Sequence, residues 1–175
     1  MIDELVRPKY KNITFYCHNF SGYDVVFILK VLSKYNDSNK DKYVLSTILR
    51  DEKIIKLKIT KDKHSVNIVD SYCILSDSLS NLGKSFGVDT LKSHFSYTFA
   101  KENTLFYIGP TPSISYYNDI SQRDYDTINQ PIWYLRDETI KYLHNDLVCL
   151  HEVLIKANKQ LFKDYNVSMT DNFTI

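Results

Sequence analysis

Three short runs rich in β-branched and large apolar residues, YVLSTILR (43–50), IIKLKIT (54–60) and VNIVDSY (66–72), follow one another with little more than the charged stretches RDEK and KDKH to turn on. Connections that short cannot carry a chain across to a parallel neighbour, so the runs read as an antiparallel meander. Ahead of them, NITFYC (12–17) reads as a buried strand. After HNFSG, Val26, Leu29, Lys30 and Ser33 recur at helical intervals with Val25, Ile28 and Leu32 beside them, a helix that starts near Asp24. DSLSNLGKSFGV (77–88) reads as a short helix opened by Asp77 or Ser78 and ended near Gly87. Residues 89–130 have no clear period. From about Trp133 to Phe162 an amphipathic pattern predicts a long helix whose apolar stripe is Ile140, Leu143, Leu147, Leu150, Leu154 and Leu161. Strand, helix, meander, helix and a long final helix make an α/β domain.

The 175 residues suit one compact domain, or part of a larger protein, and 43% hydrophobic with 25% charged residues is a globular composition. No apolar run approaches the roughly 20 residues that cross a bilayer, so no membrane partner is expected. Cys17, Cys73 and Cys149 stand far apart and odd in number, and read as reduced thiols in reducing surroundings. Net charge is only +1, so any nucleic-acid contact has to be local. Residues 30–63 hold ten basic and five acidic residues, an excess that fits either a solvated strand face or a phosphate backbone. Tyr occurs 14 times against 4 Gly and 4 Pro. With abundant Asn, Lys and Ile, that bias matches A/T-rich codons, as in an organelle genome or its parasites.

Two acids stand where chemistry needs them. Asp24 lies where a strand gives way to a helix, the place at which α/β sheets present ligand-binding groups. Asp146 interrupts the apolar side of the long helix, so it must be paired, hydrogen-bonded or bound to a cation. Tyr142 lies four residues earlier on the same face. A hydroxyl beside a carboxylate can orient a water for attack on a phosphodiester. Capping or pairing with Arg or Lys is the plainer reading of Asp146. Asn19 can hold a phosphate or sugar, or bridge its turn. Tyr16, His18, Phe20 and Tyr23 are suited to stacking on unpaired bases or, for Tyr16 and Phe20, to core packing. No H-E-x-x-H, Gly-rich phosphate loop or G-x-S-x-G elbow is present.

HNFSGYDVVFILK and the later YLHNDLVCLHEVL resemble two signatures of the 3′–5′ exonuclease domain of family B DNA polymerases, the protein-primed type of linear mitochondrial plasmids and some bacteriophages. Asn19–Phe20–Ser21–Gly22–Tyr23–Asp24 is similar to the second exonuclease motif, N-x2–3-[FY]-D. Tyr142–Leu143–His144–Asn145–Asp146 is similar to the third, Y-x3-D, and Lys141 fits its tyrosine subclass rather than the histidine one. Ser78–Leu79–Ser80–Asn81–Leu82 resembles the family's [ST]-L-x2-h motif, and Lys92–Ser93–His94–Phe95 its lysine motif.

The resemblance implies a ribonuclease H-like fold, a mixed sheet flanked by helices. It implies Asp24 and Asp146 as carboxylate ligands of Mg²⁺ or Mn²⁺ and Tyr142 as the residue that orients the attacking water. Tyr16, His18, Asn19 and Tyr23 would touch the 3′ end of single-stranded DNA, assisted by Ser78, Leu79 and Lys92. A priming terminal protein and the rest of the polymerase are the further partners implied, with a mitochondrial, organelle- or plasmid-encoded location.

The family's first exonuclease motif, D-x-E, has no counterpart before Asn19, where the acids are the adjacent Asp3 and Glu4. No palm signature is present, and YNVSMTDNFTI (165–175) resembles the junction at which the palm begins. The expectation is therefore a partial exonuclease domain over 1–175, part of a DNA polymerase acting in replication and inactive alone. A non-catalytic single-strand-binding module, or one piece of a split polymerase, is the alternative.

Overall fold

Alternation along one strand shows how the sheet is built. In IIKLKIT the apolar Ile55, Leu57 and Ile59 are buried while Lys58 points to solvent, the period of a strand with one dry face. A computed structural model describes residues 2–118 and 120–171. The chain forms two compact units, residues 1–77 with 158–175, and residues 78–157.

The first unit holds α1 (Ile2–Leu5), β1 (Thr14–Cys17), α2 (Asp24–Ser38), β2 (Val44–Arg50), β3 (Lys53–Lys61) and β4 (His64–Asp70). Its four-stranded sheet has the order β1-β4-β3-β2. β2, β3 and β4 form the antiparallel meander that the short turns dictate, and β1 runs parallel to β4. The sheet is therefore mixed. Phe20, Leu32, Leu57, Ile59, Val66 and Ile68 make the core. Central β4 is covered on both faces at its end, where Val69 and Asp70 are also fully buried. β1 is half-buried along its whole length rather than buried, because it lies at the sheet edge and pairs only with β4. On α2 the core takes Val25 and Leu32, and Val26 of the expected apolar face is 61% exposed.

The β2–β3 turn is made by Asp51 and Glu52, both left-handed at φ 48° and 64°. A two-residue turn of this hand matches the twist of a hairpin but is built for Asn-Gly. Each non-glycine residue held there costs about 1 kcal/mol. Asp51→Asn with Glu52→Gly is expected to raise stability by roughly 1 kcal/mol, seen as a higher urea midpoint. An unchanged or lowered midpoint would show that the turn carries no strain.

The second unit holds α3 (Leu79–Ser85), β5 (Ile108–Gly109), α4 (Gln122–Ile128), β6 (Trp133–Tyr134) and the start of α5 (Leu135–Tyr165). The Ser78 hydroxyl caps α3 by accepting from the Asn81 amide at 3.2 Å, and Gly87 beyond its end is left-handed at φ 57°. The stretch without a sequence period organises around aromatic edges: Phe99 meets Tyr107, Tyr116 and Trp133 at 4.8, 5.2 and 6.1 Å. β5 and β6 pair beneath them.

On α5 the buried stripe is Leu135, Tyr142, Cys149, Leu150, Val153 and Ala157. Ile140, Leu143 and Leu147, expected as core, are instead 56%, 53% and 67% exposed. A helix this rich in leucine carries two overlapping apolar stripes. α3 selects between them by offering Gly83, whose missing side chain lets Cys149 Sγ approach within 3.2 Å of where a Cβ would stand. Cys17, Cys73 and Cys149 are free thiols. No helix among the described residues is long and apolar enough to cross a membrane. The last four residues of YNVSMTDNFTI lie outside the described residues.

Candidate nucleic-acid interface

In the first unit the site follows from one parallel pairing. β1 and β4 run side by side with Cys17 opposite Asp70, so the segments leaving their carboxyl ends emerge together. Those segments are 18–24, which carries the N-x3-Y-D string, and the 3₁₀ turn Ser71–Cys73. The carboxyl ends of adjacent parallel strands are where α/β sheets bind ligands.

Asp70 ties the two segments together. Its fully buried carboxylate accepts from the Ser21 amide and hydroxyl, each at 2.9 Å, and from the Tyr72 amide at 3.0 Å. His18 Nε2 donates to the Asp77 carbonyl at 2.8 Å, which places a proton on that nitrogen. Its Nδ1 lies 3.0 Å from the Ser71 hydroxyl, which also reaches the Cys17 carbonyl at 2.9 Å. The ring is thereby oriented against Tyr72, 5.5 Å away. Asn19 is left-handed at φ 60° with its side chain folded over Gly22, where an added Cβ would stand 2.7 Å from Oδ1. Phe20 turns inward as a fully buried core residue.

Asp24 is exposed at the first turn of α2, the positive end of the helix. Beside it Tyr23 is 70% and Phe27 56% exposed, their rings 5.4 Å apart. Tyr16 is half-buried and donates its hydroxyl proton to the Met169 carbonyl at 2.7 Å, which leaves its ring and the acceptor side of its oxygen for other contacts. Burial, then the Asp24 and Asp70 charges, push the Cys17 thiol up to about 11, which removes it as a nucleophile. Asp3 is taken up by the Tyr43 hydroxyl and by Lys61 at 3.2 Å, which hold its carboxyl below the usual range.

In the second unit a different group assembles on α5. Tyr142 faces Asp146 one turn on, stacks on Phe95 at 5.0 Å and shares a hydrogen bond with the Tyr97 hydroxyl. Burial first, then the hydrogen bonds to Asp146 and Tyr97, raise the Tyr142 hydroxyl far above the ordinary phenol range. It therefore stays a neutral phenol with one proton to give. Lys92 Nζ lies 3.9 Å from Asp146 Oδ2 and 5.8 Å from the centre of the Tyr142 ring. Asp146 Oδ1 is buried without a hydrogen-bond partner.

The turn that precedes Lys92 is held from α5. Glu152 accepts from the Asp89 and Thr90 amides at 2.9 and 3.1 Å and from the Thr90 hydroxyl at 3.1 Å. Those bonds lower its pKa below the usual glutamate value. Lys156 donates to the Gly87 carbonyl at 2.5 Å. Ser78 acts as the α3 cap and Leu79 is half-buried behind it.

Sequence reasoning missed Asp70, Ser71, Tyr72, Phe27, Tyr97 and Glu152. Only the acid closing an apolar strand, Asp70, left a signal of its own.

Among the described residues no three His, Cys, Asp or Glu side chains converge as a metal cluster. Asp146, with its orphaned buried oxygen, and Asp24, an exposed carboxylate, would each suit a single ligand position of a hard divalent cation.

The family model for DNA polymerase type B, organellar and viral, matches residues 6–175. A probable DNA polymerase of Podospora anserina is 37% identical over 99% of this chain, and one of Neurospora intermedia 29% identical over 98%. The chain spans 18% and 19% of the length of those relatives. Phi29 DNA polymerase, solved in complex with single-stranded DNA, shares the mixed α/β fold over 93% of this chain and 25% of its own, with a TM-score of 0.53 at 18% identity. The match along nearly its whole length shows that this chain belongs to the organellar and viral type B DNA polymerases.

Proposed function

We propose that this chain forms part of the ribonuclease H-like 3′–5′ exonuclease domain of a replicative DNA polymerase and receives the 3′ end of a single strand. The observation that carries this reading is Asp146: Lys92 approaches its Oδ2 at 3.9 Å beside the neutral Tyr142, while its Oδ1 is buried with no hydrogen-bond partner. A cost of that kind persists where a cation or a reacting group is to be met.

In this reading Asp24 and Asp146 each supply a carboxylate to Mg²⁺ or Mn²⁺, which when bound stabilises charge on the scissile phosphate. Tyr142 keeps its proton and orients a water with its hydroxyl. Lys92 meets a phosphate oxygen. Asn19 and His18 face the terminal nucleotide, Tyr23 and Phe27 stack on bases, and Ser78 and Leu79 support the segment that leads to Lys92. One carboxylate in each unit falls short of the ligand set that spaces two cations, so the 175-residue chain is expected to bind strands and cations without measurable shortening of DNA. An organellar location and a priming terminal protein belong to the same reading.

Titration of Mn²⁺, followed by the electron paramagnetic resonance of the free ion, tests it. Asp146→Asn is expected to weaken binding by about tenfold or more. Equal affinity in wild type and variant would remove Asp146 as a ligand.

The exposed Tyr23–Phe27 pair favours a second reading, a single-strand-binding module without chemistry. That reading predicts strand binding in EDTA that is indifferent to Asp146→Asn.

A further inference from the structure

The β2–β3 hairpin presents two like charges in a costly arrangement. Arg50 and Lys53 are directly opposite one another across the turn, and both are exposed. Like charges at paired positions destabilise a hairpin. Arg50 has only Asp51 for company, at 3.8 Å with both side chains more than half exposed, and Lys53 forms no ion pair among the described residues. The turn that joins them uses two left-handed acidic residues where Asn-Gly would serve better. Nothing in the folding of the hairpin calls for this pair of cations, and strain kept in this way marks functional positions.

The two cations border a cleft of about 380 Å³ whose other wall is Tyr72, Cys73, Ile74 and Ser76. Tyr72 is 37% exposed and is the residue whose ring stands against His18. The cleft is thus joined through one side chain to the segment that carries His18 and Asn19. Burial, then the Asp70 charge, raises the Cys73 thiol at the cleft, and Arg50 and Lys53 oppose that rise.

The geometry points to this cleft as a phosphodiester-binding subsite for single-stranded DNA, in which Arg50 and Lys53 hold backbone phosphates and Tyr72 offers a ring to a base. This inference rests on the strand-binding reading above and extends its track away from the 3′ end. A nucleotide suits the cleft in kind, with cations on one wall for the phosphate and an aromatic on the other for the base.

The test is fluorescence anisotropy of a labelled oligothymidylate with the 175-residue chain over a range of potassium chloride concentrations. Each phosphate contact on a single strand contributes about 0.7 to the slope of log affinity against log salt, so Arg50→Gln with Lys53→Gln should flatten it by about 1.4. An unchanged slope in a variant that binds and keeps the wild-type circular dichroism overturns the subsite alone. Failure of the wild-type chain to bind at any salt overturns the strand-binding reading and the subsite together. Asp51→Asn supplies a second arm that suits the left-handed turn: it removes the acid beside Arg50 and should tighten binding at low salt. If the double variant fails to fold, tighter binding by Asp51→Asn supports the subsite and unchanged binding overturns it.

Discussion

Asp70→Ala is expected to lower the stability of the first unit by about 4 kcal/mol, close to half of what a domain of ordinary stability possesses. The side chain is fully buried and accepts three hydrogen bonds, two from backbone amides that have nowhere else to turn. Truncation to alanine loses three charge-assisted bonds and leaves the Ser21 and Tyr72 amides unsatisfied. Relief of the buried charge offsets part of that loss and keeps the total near the stated figure. Asp70→Asn retains one oxygen acceptor but sets an amide group against an N–H donor, and should lose about half as much. Urea unfolding followed by circular dichroism measures both. A loss below about 1 kcal/mol for the alanine variant would mean that the loop is held by Phe20 and the Ser71–His18 contact rather than by the carboxylate.

The second large effect is on binding. Replacing Tyr23 and Phe27 together by Ala should weaken single-strand affinity by on the order of a hundredfold, since each base stacked on an aromatic ring is worth about 1–3 kcal/mol. Both rings are mostly in water, so stability should move by no more than about 0.5 kcal/mol. Val26→Ala is the matching control. Val26 is 61% exposed on the same helical turn and aliphatic, so an equal loss there would indicate generic apolar contact instead of stacking.

The antiparallel meander and the strand-to-helix junction at Asp24 were legible because turn length and side-chain period are local properties. The start of α3 was legible for the same reason, since a capping serine acts on the next turn. The parallel pairing of β1 with β4 was not, because its partners are about fifty residues apart and no local pattern encodes that register. In the sequence Asp146 stands out as an acid on an apolar helical side, and it does lie along a buried stripe. That stripe is the one of Tyr142, Cys149 and Val153, not the one of Leu143 and Leu147. Periodicity weighs hydrophobicity and cannot see that Gly83 opens room at Cys149. The roles of Ser71, Tyr72 and Phe27 depend on which neighbours they meet in space, and their residue types alone suggested ordinary core or surface.

Glu152 and Lys156, one helical turn apart on α5, grip the turn at 87–90 at both ends. The lysine that follows two residues later is thereby denied much of the wandering that a loop lysine enjoys. A loop lysine gives up rotational freedom at the moment it captures an anion, and that loss subtracts from affinity. Here the loss of backbone freedom is incurred once, when the chain folds. In the strand-binding reading, a phosphate that reaches Lys92 therefore meets a backbone already in shape.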